Sequence, residues 1–482
     1  MRTVKRRKPA DTLIRSFPAA TTYTIHIARA RPAVREPSHA FPFTERHLQA
    51  VWFDPQYRPA HLTTADGEVI SVTHPGRWNL EAGPDFLDAS LVVGPDRRTL
   101  RGDVEVHIHP TDWEHHAHGN DPLYRRVIAH ACYWPGRLPE NTLPRAAVQI
   151  ALKPALEADP TFFFENIDVT AYPYAVPPPA HPHNPPPLAN LPAADCTAFL
   201  AAAGQERLRR KSATISDLIA REGLGQPIFE GVLTALGYQH NRGACRRLAR
   251  LITLDRLREE SQGNADAAYA LLLGVAGLMP RTADPQWDPN TRRFIRTLWD
   301  AWWKMQSRWE SRRLPKTAWR LAGLRPQNHP ARRLAAAASL FSTPTPLHEQ
   351  LVKLPTKNPA RWLDAVQSLL DATMPYWSLR LAIGGKRTTA PVALLGAPRK
   401  SAIILNVLLP YLAANHIDVH HLLNVIPSED SNQLLRQTAH QLFGPDHNPA
   451  IYAGGLQQQG LLQLFHDFCL PNRLPDLSRI FQ

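Results

Sequence analysis

The sequence predicts an α/β or α+β domain that is followed by a mainly α-helical region. Three observations support this division. Residues 43–152 carry short alternating and β-branched segments, which are typical of strands. A proline-rich stretch then interrupts the chain, and beyond it apolar residues recur at helical spacing. With 482 residues the chain exceeds the usual size of one hydrophobic core, so at least two domains are expected.

Composition sets the predicted boundaries. Residues 1–40 are rich in Arg and Lys and are expected to form a basic, disordered arm. Residues 41–172 form the mixed domain. Residues 173–192 contain two Pro-Pro-Pro runs and are interpreted as a linker, because proline fixes φ and removes backbone donors. Residues 193–482 form the helical region.

The mixed domain is expected to begin with a short helix and a hairpin. The helix is predicted over Glu45–Phe53, and an Asp66-Gly67 turn marks the hairpin. A Gly94-Pro95-Asp96 turn joins two later strands. The predicted strands are Leu62–Thr64, Glu68–Thr73, Phe86–Val93, Val104–His109, Val127–Trp134 and Ala146–Leu152.

The helical region is predicted from its 3.6-residue periodicity. Asp195 is expected to cap a first helix that continues through Leu208. Further helices are predicted over residues 227–236, 244–252, 265–278, 291–309, 330–341, 359–372, 402–414, 433–442 and 456–468.

Two features bear on the compartment. No apolar run is long enough to span a bilayer, so a soluble protein without a membrane role is expected. The four cysteines are scattered without paired spacing, which is typical of a reducing compartment. The predicted location is therefore cytoplasmic. The oligomeric state is left open.

The charge balance suggests a polyanionic partner. The net charge is +13, and DNA or RNA is the simplest partner for such an excess. Arg207, Arg209, Arg210 and Lys211 are the predicted phosphate-binding surface. A genome-wide bias towards Arg, Ala and Pro explains the same composition, and solvated helix faces explain the same cluster.

One predicted strand carries most of the legible chemistry. Strand alternation places Glu105, His107 and His109 on one face and apolar residues on the other. A carboxylate and two imidazoles are costly to bury unless a metal, a substrate or hydrogen bonds satisfy them. This face is therefore a candidate site.

Paired carboxylates give the first interpretation of that site. Asp85 and Glu105 are expected to share Mg²⁺ or Mn²⁺, which prefer oxygen ligands, and Glu45 on the preceding helix is a further acidic ligand. The spacing resembles the PD-(D/E)XK nuclease core, with Pro84-Asp85 as the first element and Glu105-Val106-His107 as the second. Asp85, Glu105 and His107 are then the catalytic residues.

The resemblance has one departure. The second element of that core normally ends in Lys, whereas this chain has His107 and contains no lysine between Lys8 and Lys153. Histidine titrates near neutral pH, so it is able to orient or deprotonate an attacking water. The departure is equally compatible with a scaffold that has lost catalysis.

The histidines give a competing interpretation. His107, His109, His116 and His118 offer imidazole nitrogens that suit Zn²⁺ or Fe²⁺. A transition-metal enzyme of oxygen or hydrolytic chemistry would follow. The third alternative is a non-enzymatic interaction protein whose helical region docks partners.

The chain also resembles an uncharacterised bacterial family, domain of unknown function 2851. The residues that carry the resemblance are Glu45, Trp52, Gly76, Asn79, Gly83-Pro84-Asp85-Phe86, Gly102, Val104, Glu105, His107, Asp112-Trp113, His116, His118, Asp121, Tyr124, Leu236-Gly237-Tyr238, Asn241, 271–278, 406–410 and 459–461. The resemblance implies a lineage and a fold but no activity. The function predicted from the residues is a metal-dependent, nuclease-like protein or a degenerate relative that binds nucleic acid.

Overall fold

The computed structural model describes residues 22–25, 27, 43–80, 83–159, 186–238, 241–427, 433–470, 474–478 and 480, and residues 162, 164, 167, 169 and 172. The chain divides into two compact units. The sheet unit comprises Ala33–Pro178. The helical unit comprises Met1–Pro32 and Pro179–Gln482. The division at Pro178 falls within the proline-rich stretch.

A seven-stranded sheet forms the centre of the sheet unit. In chain order the elements are α1 (Glu45–Phe53), β1 (Leu62–Thr63), β2 (Val69–His74), β3 (Arg77–Trp78), β4 (Phe86–Val93), β5 (Arg98–His107), α2 (Asp112–His115), β6 (Val127–Cys132), β7 (Val148–Ala151) and α3 (Leu152–Glu157). The strand order is β1-β2-β4-β5-β6-β7, with β3 paired to β4. The β2-β4 and β4-β5 pairs are antiparallel, whereas β5-β6 and β6-β7 are parallel.

The sheet curls until its two outer strands meet. Thr64, just beyond β1, pairs antiparallel with Ile150 of β7. The backbone N–H of Ala65 donates to the carbonyl of Gln149 at 2.7 Å. The sheet is therefore nearly a barrel, which leaves less strand edge unpaired. A sheet-containing first domain followed by helices confirms the coarse prediction.

Gly102 sets the distance between β5 and β6. A Cβ atom at this position would lie 2.3 Å from the carbonyl oxygen of Arg126 and 2.6 Å from Ile128 Cγ2. Only glycine permits that approach. The parallel pairing then places Glu105 beside His130 and His107 beside Cys132. The register of these strands thereby determines which side chains meet.

The helical unit consists of helices around a large apolar core. They are α4 (Ala193–Glu222), α5 (Gly225–Leu236), α6 (Arg242–Leu251), α7 (Leu254–Ser261), α8 (Ala265–Val275), α9 (Pro289–Trp309), α10 (Pro330–Phe341), α11 (Leu347–Val352), α12 (Pro359–Leu369), α13 (Ala397–Ile403), α14 (Leu409–Ala414), α15 (Gln433–Phe443), α16 (Gly455–Leu464) and α17 (Leu474–Ser478). Single π-helical turns occur at Ile404–Leu408 and Phe465–Cys469.

The helices follow the predicted periodicity, with two kinds of difference. The predicted cap was wrong, because Pro192 is the N-cap of α4 and Asp195 lies in its first turn. The short helices α7, α11 and α17 were not predicted. They are 8, 6 and 5 residues long, so their apolar periodicity is too brief to identify them.

Glycine also sets the distance between α4 and α16. A Cβ atom at Gly460 would lie 2.0 Å from the carbonyl oxygen of Leu200. A Cβ atom at Gly204 would lie 2.2 Å from the carbonyl oxygen of Leu456. Glycine on each helix thus faces the backbone of the other, and this allows close packing along the 30-residue α4.

Parts of the predicted arm and linker pack on the helical unit. Tyr23 is buried, its hydroxyl donates to Asp467 at 3.0 Å, and its ring contacts Phe199. Leu188 is buried, and its N–H donates to the carbonyl of Leu442 at 2.9 Å. Most of residues 1–40 and 173–185 lie outside the described residues.

The cysteines and the helices add two further observations. All four cysteines are buried free thiols. None of the described helices combines the length and the apolar character that crossing a bilayer requires.

Candidate metal centre

Four side chains converge at the end of β5. Glu105 and His107 lie on the same face of that strand, at its C-terminal end, and both are buried. After α2 the chain turns at Ala117, whose φ of 57° lies in the left-handed region, and this reversal returns His116 and His118 to the strand end. A non-glycine residue in that conformation is strained, and such strain concentrates at functional sites.

Three buried donor atoms form a nearly equilateral triangle. Glu105 Oε1 lies 3.3 Å from His107 Nε2 and 3.4 Å from His118 Nε2. The two imidazole nitrogens are 3.3 Å apart. All three residues are at most 9% exposed. A tetrahedral Zn²⁺ site with ligand bonds of 2.0–2.1 Å separates its donors by about 3.3–3.4 Å, so the triangle has the dimensions of one face of such a site.

His116 occupies a fourth position beside that triangle. Its Nδ1 lies 3.1 Å from His107 Nε2, and the ligand atoms of His107, His116 and His118 all fall within 4.8 Å of one another. Unlike the other three side chains, His116 is exposed. The centre is thus enclosed by protein on three sides and reached by solvent on the fourth.

The nitrogen and oxygen atoms that meet here carry more lone pairs than the available protons can hydrogen-bond. His107 Nε2 has Glu105 Oε1, His116 Nδ1 and His118 Nε2 within 3.4 Å, and one proton satisfies one of these contacts. A cation at the centre would satisfy all of them at once. Two imidazoles and a carboxylate are a donor set that suits zinc and non-haem iron.

His130 and Cys132 form a second layer on β6. His107 Nδ1 lies 2.9 Å from His130 Nε2, and Cys132 Sγ lies 3.3 Å from the same nitrogen. If His107 Nε2 faces the metal, its Nδ1 carries the proton and donates to His130 Nε2. Burial, followed by the charge of His107, lowers the pKa of His130 to about 3, so His130 is neutral and able to accept. This contact fixes the tautomer and the orientation of His107.

Asp85, the residue before β4, orients Glu105 on β5. The backbone N–H of Asp85 donates to Glu105 Oε2 at 3.1 Å, which turns Oε1 towards the histidines. The Asp85 carboxylate accepts from Gln49 Nε2 at 2.6 Å and from the backbone N–H of Val106 at 2.9 Å. Asn79 Nδ2 donates to the carbonyl of Pro84 at 2.8 Å and holds the turn that precedes Asp85.

The three predicted carboxylates lie in one region and influence one another. Burial, then the charges of Glu105 and Glu45, raises the pKa of Asp85 well above its ordinary value. Burial also raises the pKa of Glu45, and the charges of Asp112 and Glu105 act in the same direction. Burial raises the pKa of Glu105, but hydrogen bonds from His107 and His118 outweigh it, so the pKa is lowered.

Aromatic rings pack against the histidines of the centre. Tyr124 stacks on His118 with ring centroids 3.9 Å apart, and Trp113 contacts both His118 and His130. Trp113 and Tyr124 are both buried and belong to a small apolar cluster. Burial, then the charges of Glu105 and Asp85, raises the pKa of the Tyr124 hydroxyl.

His109 lies outside the centre. Its predicted position on the face of Glu105 and His107 was wrong, because β5 ends at His107 and the chain turns before α2. The side chain of His109 is exposed and stacks on Trp134, and its backbone N–H donates to Asp112 at 2.8 Å. His115 is also exposed and pairs with Asp112 at 3.5 Å.

The predicted phosphate-binding residues of α4 have partners inside the helical unit. Arg209 and Arg210 both pair with Glu206, at 2.7 and 2.8 Å. Arg207 donates to Gln459 at 3.0 Å, and Lys211 donates to Asn406 and Gln459. Phosphate binding there stays a prediction, and it would compete with these contacts.

His130 and Gln49 are site residues that sequence reasoning missed. His130 lies within an apolar strand, and 23 residues separate it from His107. Gln49 lies on α1, 36 residues before Asp85. The one available signal was the polar His130 in an otherwise buried strand, which calls for a partner.

The chain belongs to the family described as Protein of unknown function (DUF2851), whose model matches residues 45–423. The match contains the whole candidate centre and ends before the predicted resemblance at residues 459–461. No curated protein and no solved structure matches the chain.

Proposed function

We propose that the sheet unit is a metal-dependent hydrolase whose ion is held by Glu105, His107 and His118. The observation that carries the proposal is the triangle of buried donors with edges of 3.3–3.4 Å. Two histidines and a glutamate are the protein ligands of catalytic zinc sites that keep one position for water. Zn²⁺ or Fe²⁺ would be the ion.

His116 occupies the position where a water or substrate would enter. Since it is exposed while the triangle is buried, it is the ligand that most readily leaves. The ion, when bound, lowers the pKa of a coordinated water and polarises the bond under attack. Glu105, His107 and His118 would hold the ion, while His130 fixes the orientation of His107 and Asp85 fixes that of Glu105.

Metal content tests the site. Protein purified without chelator is expected to contain about one transition-metal ion per chain. His118→Ala and Glu105→Gln should lose it, whereas His109→Ala and His115→Ala, which change exposed histidines outside the centre, should retain it. Equal metal content in all four variants would show that the ion binds elsewhere.

Turnover tests the reaction class. The loaded protein is expected to hydrolyse an activated ester or a phosphodiester such as bis(p-nitrophenyl) phosphate, and His118→Ala should not. His116→Ala should keep the metal but change kcat, because it opens the fourth position. Full metal occupancy without hydrolysis of either substrate would favour a structural or oxygen-dependent centre.

A nuclease is the second candidate, favoured by the carboxylates. Asp85 immediately precedes β4 and Glu105 lies on the adjacent strand β5. The backbone nitrogen of Asp85 is 3.1 Å from Glu105 Oε2, and Glu45 is close enough to raise the pKa of Asp85. These residues would bind Mg²⁺ or Mn²⁺, and DNA or RNA would be the substrate. The hydrogen bonds that Asp85 already accepts weaken this candidate relative to the histidine centre.

One pair of variants separates the two candidates. Cleavage of DNA or RNA at the carboxylates requires Asp85 and Mg²⁺ or Mn²⁺, and it should survive His118→Ala. Hydrolysis at the histidine centre requires His118 and continues in Mg²⁺-free buffer. Asp85→Asn is expected to keep the transition metal, because the backbone N–H that holds Glu105 remains. Cleavage that is equal in wild type, Asp85→Asn and His118→Ala would come from a contaminant.

A further inference from the structure

The helical unit contains an arginine cluster, formed by Arg332 and Arg333 in the first turn of α10 and by Arg399 in α13. Arg332 is fully buried and donates to four backbone carbonyls, those of Trp377, Arg380, Val392 and Ala393, at 2.5–3.0 Å. Because these N–H donors bind backbone carbonyls of the protein itself, Arg332 has a structural role. Arg333 and Arg399 differ from it, because each has an N–H donor without a hydrogen-bond partner among the described residues.

Arg333 and Arg399 meet at Tyr238. Arg333 is 5% exposed and donates to the Tyr238 hydroxyl and to Asn328 Oδ1, both at 2.8 Å. The Arg399 guanidinium lies 3.3 Å from the centroid of the Tyr238 ring. Arg333 also donates to the carbonyl of Leu394, and Arg399 donates to the carbonyl of Ala235. Among the described residues, the Nε groups of both arginines are buried and have no hydrogen-bond partner.

Among the described residues, no acid neutralises the charges of this cluster. Their carboxylates form no ion pair with Arg332, Arg333 or Arg399, whose partners there are neutral oxygens and aromatic rings. Burial, with repulsion from Arg399 and Arg332, lowers the pKa of Arg333 to about 10. The first turn of α10 adds the positive end of a helix dipole. Buried charges are ordinarily paired, so this cluster is suited to bind a compensating anion.

We propose that Arg333, Arg399 and Tyr238 bind the phosphate group of a small anionic ligand. Guanidinium groups pair with phosphate through charge-assisted N–H···O bonds, and the two unpartnered Nε groups supply such donors. A dianionic phosphate offsets the cluster better than a carboxylate, because three guanidinium charges lie together. The phosphate comes either from free inorganic phosphate or from a mononucleotide.

Calorimetric titration of the full-length protein with inorganic phosphate, and separately with AMP, tests this site. Wild type is expected to bind at millimolar concentration or below. Arg399→Gln should weaken binding roughly tenfold, since it removes charge-assisted hydrogen bonds. Tyr238→Phe should weaken it less. Arg296→Gln, which changes an exposed arginine of α9, is the matched control and should bind as wild type.

Each outcome decides the proposal. Binding of AMP but not of phosphate, lost in Arg399→Gln, assigns a nucleotide, and equal binding of both assigns the phosphate group alone. Arg333→Gln risks misfolding because Arg333 holds the carbonyl of Leu394, so Arg399→Gln and Tyr238→Phe carry the test. No binding to wild type, binding of acetate that is as strong as that of phosphate, or equal affinity in Arg399→Gln and Arg296→Gln overturns it.

Discussion

The two units of this protein differ in charge, in histidine content and in how their polar groups are used. The sheet unit has 12 basic and 19 acidic residues and contains 10 of the 22 histidines. The helical unit has 43 basic and 23 acidic residues. The whole cationic excess therefore belongs to the helical unit, while the candidate metal centre lies in a net acidic unit.

The difference in charge assigns cation binding to one unit and anion binding to the other, which the overall charge of +13 does not reveal. An acidic unit favours binding of cations and gives little attraction to a polyanion. A basic unit favours anions, which agrees with the proposed phosphate site at Tyr238. Affinity for nucleic acid, where it occurs, is expected from the helical unit and chemistry from the sheet unit.

The largest effect is expected when a proposed metal ligand of the sheet unit is replaced, because this should remove the metal centre and leave the helical unit unchanged. His107→Lys restores the residue that the nuclease core has at this position but removes an imidazole from the centre. We expect transition-metal affinity to fall by more than about 100-fold, because loss of a ligand exceeds the effect of losing an outer partner. Metal content by mass spectrometry checks this.

The same substitution at His109 is the control, because that side chain is exposed and outside the centre. His109→Lys should keep the metal. Retention of the metal in His107→Lys would contradict the centre. A gain of Mg²⁺-dependent cleavage in His107→Lys would instead support the nuclease candidate.

Glycine substitutions should perturb each unit separately. Gly102→Ala forces a Cβ against the carbonyl of Arg126, and Gly460→Ala forces one against the carbonyl of Leu200. Each is expected to cost about 1–3 kcal/mol or more in free energy of unfolding. Only Gly102→Ala should also weaken metal binding, because it moves β5 relative to His130.

Thermal unfolding and metal content measure both effects. Gly396→Ala is the control, since a Cβ there meets only Pro398 Cδ at 3.8 Å. Loss of metal in Gly460→Ala to the same extent as in Gly102→Ala would show that the centre depends on the helical unit.

The pH dependence of the metal-free protein should report on His130. Its folded pKa of about 3 lies below the ordinary value near 6.5, so below pH 6.5 the unfolded chain binds a proton that the folded protein refuses. The contribution of His130 to the free energy of unfolding is therefore fully present above pH 6.5. It falls as the pH decreases towards 3, by at most about 1.4 kcal/mol per pH unit.

Chemical denaturation at several pH values, with chelator present, measures this slope. His130→Gln removes the titrating group and should flatten the slope between pH 6.5 and about 4. His61→Gln, which changes an exposed histidine of the same unit, should leave it unchanged. Equal slopes in wild type and His130→Gln would mean that His130 is charged in the folded protein.

The smallest effect is expected at Ala117. Because its φ of 57° suits glycine better than alanine, Ala117→Gly should raise the unfolding free energy by no more than about 1 kcal/mol. Ala365→Gly, in the middle of α12, should lower it by about 1 kcal/mol. Calorimetry compares the two. A clear loss of stability in Ala117→Gly would show that the methyl group packs favourably and that the turn is unstrained.

Local sequence determined most elements of both units. Glu45–Phe53, Phe86–Val93 and Pro330–Phe341 have the predicted bounds, because turn residues and hydrophobic period act over a few residues. The sequence also indicated Glu105, His107, His116 and His118 as candidate ligands. It did not separate His109 from them, since alternation assumes a strand that continues.

Tertiary structure decided which polar groups meet. The parallel pairing of β5 and β6, allowed by Gly102, brings His130 to His107 across 23 residues of sequence. Closure of the sheet through Thr64 and Ile150 likewise depends on long-range pairing. Arg333, Arg399 and Tyr238 come from three separate parts of the helical unit. Short-range propensity carries no information on such contacts, because they depend on how distant elements pack.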